Sequence, residues 1–283
     1  MVKALYAGNQ QTMMRESMGI VTETSGGVFL RRCVKQLFTR PRVCLSLDVR
    51  HVYVAVDPCG GGDSKFAICS VYRDNASVVV HFCILVCTCD RRVQIVGLDD
   101  AKITGHTDMN ATLLRHIRGL ERLVGSATHA VRFIIMTESN LGLEAAHVAN
   151  MLKDEPRCVH LKETGPQGRY GVLTTHQRKI EFVALLESML TQDGICIVDN
   201  LVSTDAATTL ATLQRQLGQY RMVSTAGAGL FAPPKISYSG KVGPDGKLST
   251  LQDDLCIALQ MAVYWSSYVI QRKCKFLDYA GLF

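Results

Sequence analysis

The feature that most constrains this chain is an apolar run, residues 51–56, that stops at one acid, Asp57, and is followed by Pro58 and by glycines at 60, 61 and 62. The run alternates and is rich in β-branched valine, so it reads as a strand buried in a sheet. The proline and glycines force a turn directly behind it. Asp57 is therefore expected at a strand end. Residues 65–73 again have strand character, Asp74, Asn75 and Ala76 supply a turn, and residues 77–86 read as a third strand. The pattern is a meander with a carboxylate at the end of its first strand.

Two further acidic positions fit the same plan. Residues 131–136 form a short apolar run of strand length that ends in Thr137-Glu138-Ser139-Asn140, before a helical pattern from about Leu141. Far downstream, Ser249 and Thr250 precede Asp253 and Asp254, and the chain then runs apolar at helical spacing to Trp265. Asp57, Glu138 and one or both of Asp253 and Asp254 would converge from two strand ends and a helix start. Such carboxylates make an oxygen-only cage suited to Mg²⁺ or Mn²⁺. Two such ions roughly 3.5–4 Å apart activate a water and stabilise the leaving oxygen of an in-line phosphoryl displacement. The expected fold is α/β, a ribonuclease-H-like mixed β-sheet flanked by α-helices, and the expected chemistry is cleavage of a phosphodiester.

Composition excludes several other classes. A chain of 283 residues with 47% hydrophobic and 20% charged residues has the make-up of a folded globular protein, with one large domain favoured over two small ones. The eleven cysteines are scattered, no C-x-x-C occurs, and Cys69, Cys83, Cys87, Cys196 and Cys256 lie inside apolar runs. Reduced, buried thiols account for them better than disulfides or zinc, which points to an intracellular compartment. No apolar stretch has the length of a membrane span, and residues 1–30 contain no signal-peptide core.

The net charge of +6 permits a polyanion partner without requiring one, so the placement of basic residues matters more than their number. Arg178 and Lys179 open a helical pattern that runs from residue 175 or 176 to 190. Residues 220–223 and 236–239 read as a hairpin-like insert before the acidic helix. The insert carries Arg221, Lys235 and Lys241, with Lys247 just beyond and Tyr220, Phe231 and Tyr238 interleaved. Basic and aromatic side chains on a projecting loop suit a nucleic-acid backbone, and a packed structural loop is an equal alternative. Between these landmarks, residues 110–123, 141–153 and 204–217 read as helices, and 158–161 and 195–198 as strands. Residues 1–48 show no strong strand pattern and read as a linker or adapter, which leaves 49–283 as the nuclease domain.

Each acid also has a duller reading. Asp and Gly are ordinary turn residues, Glu138 could cap a helix, and Asp253 and Asp254 could merely complement a helix dipole. Taken together, the three matched positions favour a site. Asp99, Asp100, Asp193 and Asp199 fit surface turns, and the histidines lack ligand spacing such as H-x-x-x-H. An actin-like ATPase shares a related sheet and a similar first turn, but Gly227-Ala228-Gly229 is a poor second phosphate loop. A junction resolvase or an integrase-like strand transferase remains open on the residues alone.

The chain resembles the C-terminal nuclease domain of herpesvirus terminase large subunits, with wider similarity to the terminases of tailed phages. The resemblance is carried by Tyr53-Val54-Ala55-Val56-Asp57-Pro58, by Ile134-Ile135-Met136-Thr137-Glu138-Ser139-Asn140 leading into a helix, and by Gln252-Asp253-Asp254-Leu255-Cys256. Met14-Arg15-Glu16-Ser17-Met18-Gly19 resembles the linker from that family's ATPase domain, so the segment 1–48 is expected to join an upstream ATPase domain of a longer polypeptide. The resemblance implies two-metal cutting of concatemeric double-stranded viral DNA with little sequence preference during genome packaging. It also implies two Mg²⁺ or Mn²⁺ ions on Asp57, Glu138, Asp253 and Asp254. Other terminase subunits, the capsid portal and the host cell nucleus are its implied partners and place. The short glycine-rich turn after Asp57 departs from the family pattern.

Overall fold

A computed structural model describes residues 27–45, 49–58, 64–73, 92–127, 130–140, 143–162, 170–225, 235–241 and 252–272. The order of elements is α1 (Arg31–Thr39), β1 (His51–Asp57), β2 (Phe66–Arg73), β3 (Val93–Ala101), α2 (His106–Leu123), β4 (Arg132–Thr137), α3 (Glu144–Met151), β5 (Cys158–His160), α4 (His176–Thr191), β6 (Ile195–Val202), α5 (Ala206–Gln219), β7 (Arg221–Thr225), β8 (Lys235–Ser239) and α6 (Asp254–Arg272).

Six strands form one mixed sheet in the order β5-β4-β1-β2-β3-β6, and β7 pairs with β8 as a separate antiparallel ribbon. Only β2 runs against its neighbours; β1 with β4, β4 with β5, and β3 with β6 are parallel. Parallel pairs need crossover helices, which cover both faces and make the strands nearly continuous apolar runs. The alternation of side chains then decides which residue meets which helix. Tyr53 and Ala55 of β1 lie in the core with α1, α4, α5 and α6, whereas Val52, Val54 and Val56 lie in the opposite core with α2 and α3.

On the first face, α6 is sandwiched between β1 and β2 below and α4 and α5 above. Leu255, Ala258, Leu259, Met261, Ala262 and Val263 are all fully buried, so this helix is apolar all round, as a core helix must be. On the second face, Met109, Leu113, Ile117 and Leu120 make the apolar stripe of α2 at helical spacing. A Cβ on Gly119 would meet Val202 Cγ1 at 2.5 Å, so the bare glycine lets α2 lie against β6.

Several features depart from the sequence reading. Residues 77–86, expected as the third strand, lie outside the described residues, and the strand beside β2 is β3, Val93–Ala101. Asp99 and Asp100 belong to that strand rather than to a surface turn. Asp99 is 4% exposed, and its Oδ2 pairs with His116 Nδ1 at 2.6 Å, whose Nε2 meets Ser70 Oγ at 2.8 Å. Thr204 N donates to Asp99 Oδ1 at 2.7 Å, so the buried network ties β2, β3, α2 and the approach to α5 together. A serine, histidine and aspartate in this order have hydrolase-like geometry, but all three are sealed in the core.

Helix α1 lies inside the stretch that reads from sequence as a linker or adapter. Val28, Phe29, Leu30, Cys33, Val34 and Leu37 are buried, Val28 N donates to Tyr220 O at 2.9 Å, and the Phe29 and Tyr220 rings stack at 5.8 Å. Asp199, also expected in a turn, is an exposed residue of β6. Asp193 does occupy a turn, with a φ of 61° in the left-handed region that aspartate tolerates.

Candidate active site

Side-chain alternation brings the acids to one face. Asp57 is the last residue of β1 and continues the Tyr53 and Ala55 side of the strand, the side on which α6 lies. Beside it, Ile134 and Met136 of β4 face the same core, and Glu138 follows them at the same parity. The parallel ladder fixes the register: Val56 pairs with Thr137, and Glu138 N donates to Val56 O at 2.9 Å. Asp57 and Glu138 therefore stand side by side. Asn140 Nδ2 donates to Glu138 Oε1 at 3.0 Å and Thr174 N donates to Asn140 Oδ1 at 2.9 Å, so a short relay orients the glutamate.

Asp254 opens α6 and Asp253 immediately precedes it, with Ile257 N donating to Asp253 O at 2.9 Å as the helix begins. The two carboxylates are held by different parts of the chain. Asp254 accepts from Ser64 Oγ at 2.8 Å on one oxygen and from Lys65 N at 2.9 Å on the other. Asp253 accepts from Gly240 N at 2.8 Å at the end of the β7–β8 ribbon, and Lys241 Nζ lies 3.8 Å from its other oxygen. A Cβ at Gly240 would meet Asp253 Cβ at 2.7 Å, so glycine is what allows that close approach.

The electrostatics join these acids into one group. Asp57 is 6% exposed, and burial pushes its carboxyl well above the usual aspartate range. The charges of Glu138 and Asp254, a hydrogen bond with Glu138 and the charge of Asp253 push in the same direction. Asp253 and Asp254 are 2% and 3% exposed, and Asp253 Oδ1 is buried without a hydrogen-bond partner. A divalent cation suits such a donor set, since it supplies the missing positive charge and takes oxygen ligands. Among the described residues, no three acid, histidine or cysteine side chains converge closely enough as they stand to hold one ion.

The basic candidates divide. Lys241 reaches the acids through Asp253. Arg178 lies in the first turn of α4, donates to Leu173 O at 2.8 Å and lies over the Trp265 ring of α6 at 5.8 Å. Lys179 follows it, with its N–H donated to Thr175 O at 2.9 Å. Arg221 starts β7 opposite Ser239. Lys235 pairs by its backbone with Thr225, while its side chain, and Lys247 entirely, lie outside the described residues.

Sequence reasoning passed over Ser64, Lys65 and Asp100. Lys65 Nζ forms an ion pair with Asp100 Oδ2 at 2.5 Å, on the same face as Asp57, because Ala67 pairs with both Asp57 and Asp100. The signal was the parity of β3, legible only once that strand is recognised.

No protein-family model and no curated protein sequence matches the chain. Solved structures do. The human cytomegalovirus terminase nuclease domain, soaked with Mn and bound to an inhibitor, superposes with a TM-score of 0.59 at 15% identity, over 84% of this chain and 95% of that one. Another structure of that domain gives 0.58 at 13% identity, over 87% and 96%. The large terminase of a thermophilic bacteriophage gives 0.50 at 9% identity, covering 95% of this chain and 52% of that one. The chain thus has the ribonuclease-H-like fold of terminase nuclease domains.

Proposed function

We propose that this chain is a divalent-metal-dependent endonuclease that cuts concatemeric double-stranded viral DNA, with little sequence preference, during genome packaging. The observation that carries the reading is the group of four acids on one face of the sheet, with Asp57 buried among three other carboxylates. The Mn-soaked nuclease-domain structures with the same fold support the choice of metal. Asp57, Glu138 and Asp254 are the residues that would hold Mg²⁺ or Mn²⁺, with Asp253 beside them. Two such ions, when bound, supply an activated water and charge stabilisation at the leaving oxygen.

The rest of the chemistry belongs to the chain. Asp57 and Glu138 are presented from the rigid ends of adjacent parallel strands, which fixes their separation without relying on loops. Asn140 holds Glu138 in one orientation. Lys241, Arg178 and Lys179 provide positive charge for the phosphates on either side of the cut, contacts that position a duplex without reading its bases. Arg221, Lys235 and Lys247 extend the same DNA path along the ribbon. On this reading the segment up to residue 48 joins an ATPase domain, α1 is the part of it that docks on the nuclease sheet, and other terminase subunits and the portal assemble around the pair in the host nucleus.

A supercoiled-plasmid assay with and without Mn²⁺ tests the reading. Nicking and linearisation should require the metal, and Glu138→Ala should abolish them while the circular dichroism spectrum stays unchanged. Full activity of Glu138→Ala overturns the site, and cutting confined to branched junctions replaces the packaging reading with a resolvase.

A further inference from the structure

Asp254 sits at the start of a helix, where a short side chain has several rotamers open to it. Yet each of its carboxylate oxygens is taken by a different donor, Ser64 Oγ and Lys65 N, both from the segment that enters β2. An ionised carboxylate offers about four lone-pair positions, so two bonds to two oxygens fix its plane and leave one further acceptor position on each oxygen. The same segment is anchored independently. Lys65 Nζ, with 35% of the side chain exposed, is paired to Asp100, whose side chain is 7% exposed on the neighbouring strand β3. Asp100 has no other salt-bridge partner among the described residues, so the ion pair both neutralises this fifth acid beside the site and pins Lys65 in place.

We propose that Ser64 and Lys65, latched to the sheet by the Lys65–Asp100 ion pair, are positioning residues that orient Asp254 for metal binding. This rests on the nuclease reading and adds to it a division of labour. Asp254 is oriented by the sheet through Ser64 and Lys65 at the entry to β2, whereas Asp253 is held by the β7–β8 ribbon through Gly240. The pairing of β1 with β2 thus ties two of the acids together: Asp57 pairs with Ala67 of β2, and the two residues that enter β2 hold Asp254. Hydrogen-bond partners of metal ligands generally matter to affinity at the level of 10–100-fold.

The test is Mn²⁺ affinity measured by isothermal titration on the whole chain without DNA, so that the readout is separate from cleavage. Ser64→Ala removes one donor without changing charge and should weaken Mn²⁺ binding about tenfold, whereas Ser64→Thr, which keeps the hydroxyl, should bind like the parent. The double variant Lys65→Gln with Asp100→Asn leaves the net charge unchanged and should weaken Mn²⁺ binding to a similar degree, so the proposal stays testable if one variant fails to fold. If Ser64→Ala and the double variant both bind Mn²⁺ as tightly as the parent, the latch is overturned and the nuclease reading stands. If the parent itself neither binds Mn²⁺ nor cuts DNA, the nuclease reading falls and the latch falls with it.

Discussion

At the scale of single residues, buried polar groups decide more than exposed ones. The Ser70–His116–Asp99 chain illustrates why. Burial alone would raise the Asp99 carboxyl, but the hydrogen bond and charge of His116 and the Thr204 N–H outweigh it and hold the group below the ordinary range. Replacing His116 by leucine strips Asp99 of that partner inside the core, so the loss of unfolding free energy should be about 3 kcal/mol by urea titration. A loss under about 1 kcal/mol would mean that the network is ornamental. His160 argues in the other direction. Burial, helped by the charge of Lys162, lowers its pKa to about 4, and its Nε2 has no hydrogen-bond partner. Below an unfolded value near 6.5 the unfolded chain takes up a proton that the folded one refuses, so the stability supplied by neutral His160 is present above pH 6.5 and is lost as pH falls toward 4. Urea midpoints should therefore show the parent losing stability relative to His160→Gln as pH falls from 7 to 4.5; parallel curves would contradict the shift.

At the scale of elements, legibility followed apolar continuity. Strands β1 and β4 were readable because valines and isoleucines run unbroken up to Asp57 and Glu138, and the helical spacing of α2, α4 and α5 was equally plain. Strand β3 was not, because its two adjacent acids look like a turn. Their partners sit 17 and 35 residues away in sequence, at His116 and Lys65, and no local pattern announces them. Helix α1 was hidden by Arg31, Arg32 and Lys35, whose charges mask the spacing of Cys33, Val34 and Leu37. The acids of the site were readable as strand and helix termini, but the segment that orients Asp254 was not. Close packing gives an element-scale prediction. Gly119→Ala forces a methyl onto Val202 and should cost about 1–3 kcal/mol, measured as a lower urea midpoint. Adding Val202→Ala should recover part of that loss, and a double variant no better than Gly119→Ala alone would mean that α2 yields elsewhere.

At the scale of the whole molecule, the basic residues near α4 and the ribbon must act as a surface rather than one by one. Neutralising Lys241, Arg178 and Lys179 singly should weaken binding to every duplex alike, and the slope of log affinity against log salt should flatten by about 0.9 for each phosphate that is no longer neutralised. Unchanged slopes in all three would move the DNA path away from this side of the sheet. The position of α6 has a further consequence. The strands and the other helices emerge first, but α6 fills the centre of their core, so the domain folds as a unit only once Asp254, 190 residues after the Ser64 it must meet, has been made. Until α6 is synthesised and the core packs around it, the first carboxylates stand without their partner. On the nuclease reading the architecture works as a timer, and the newly made enzyme is harmless to the genome around it until its core is closed.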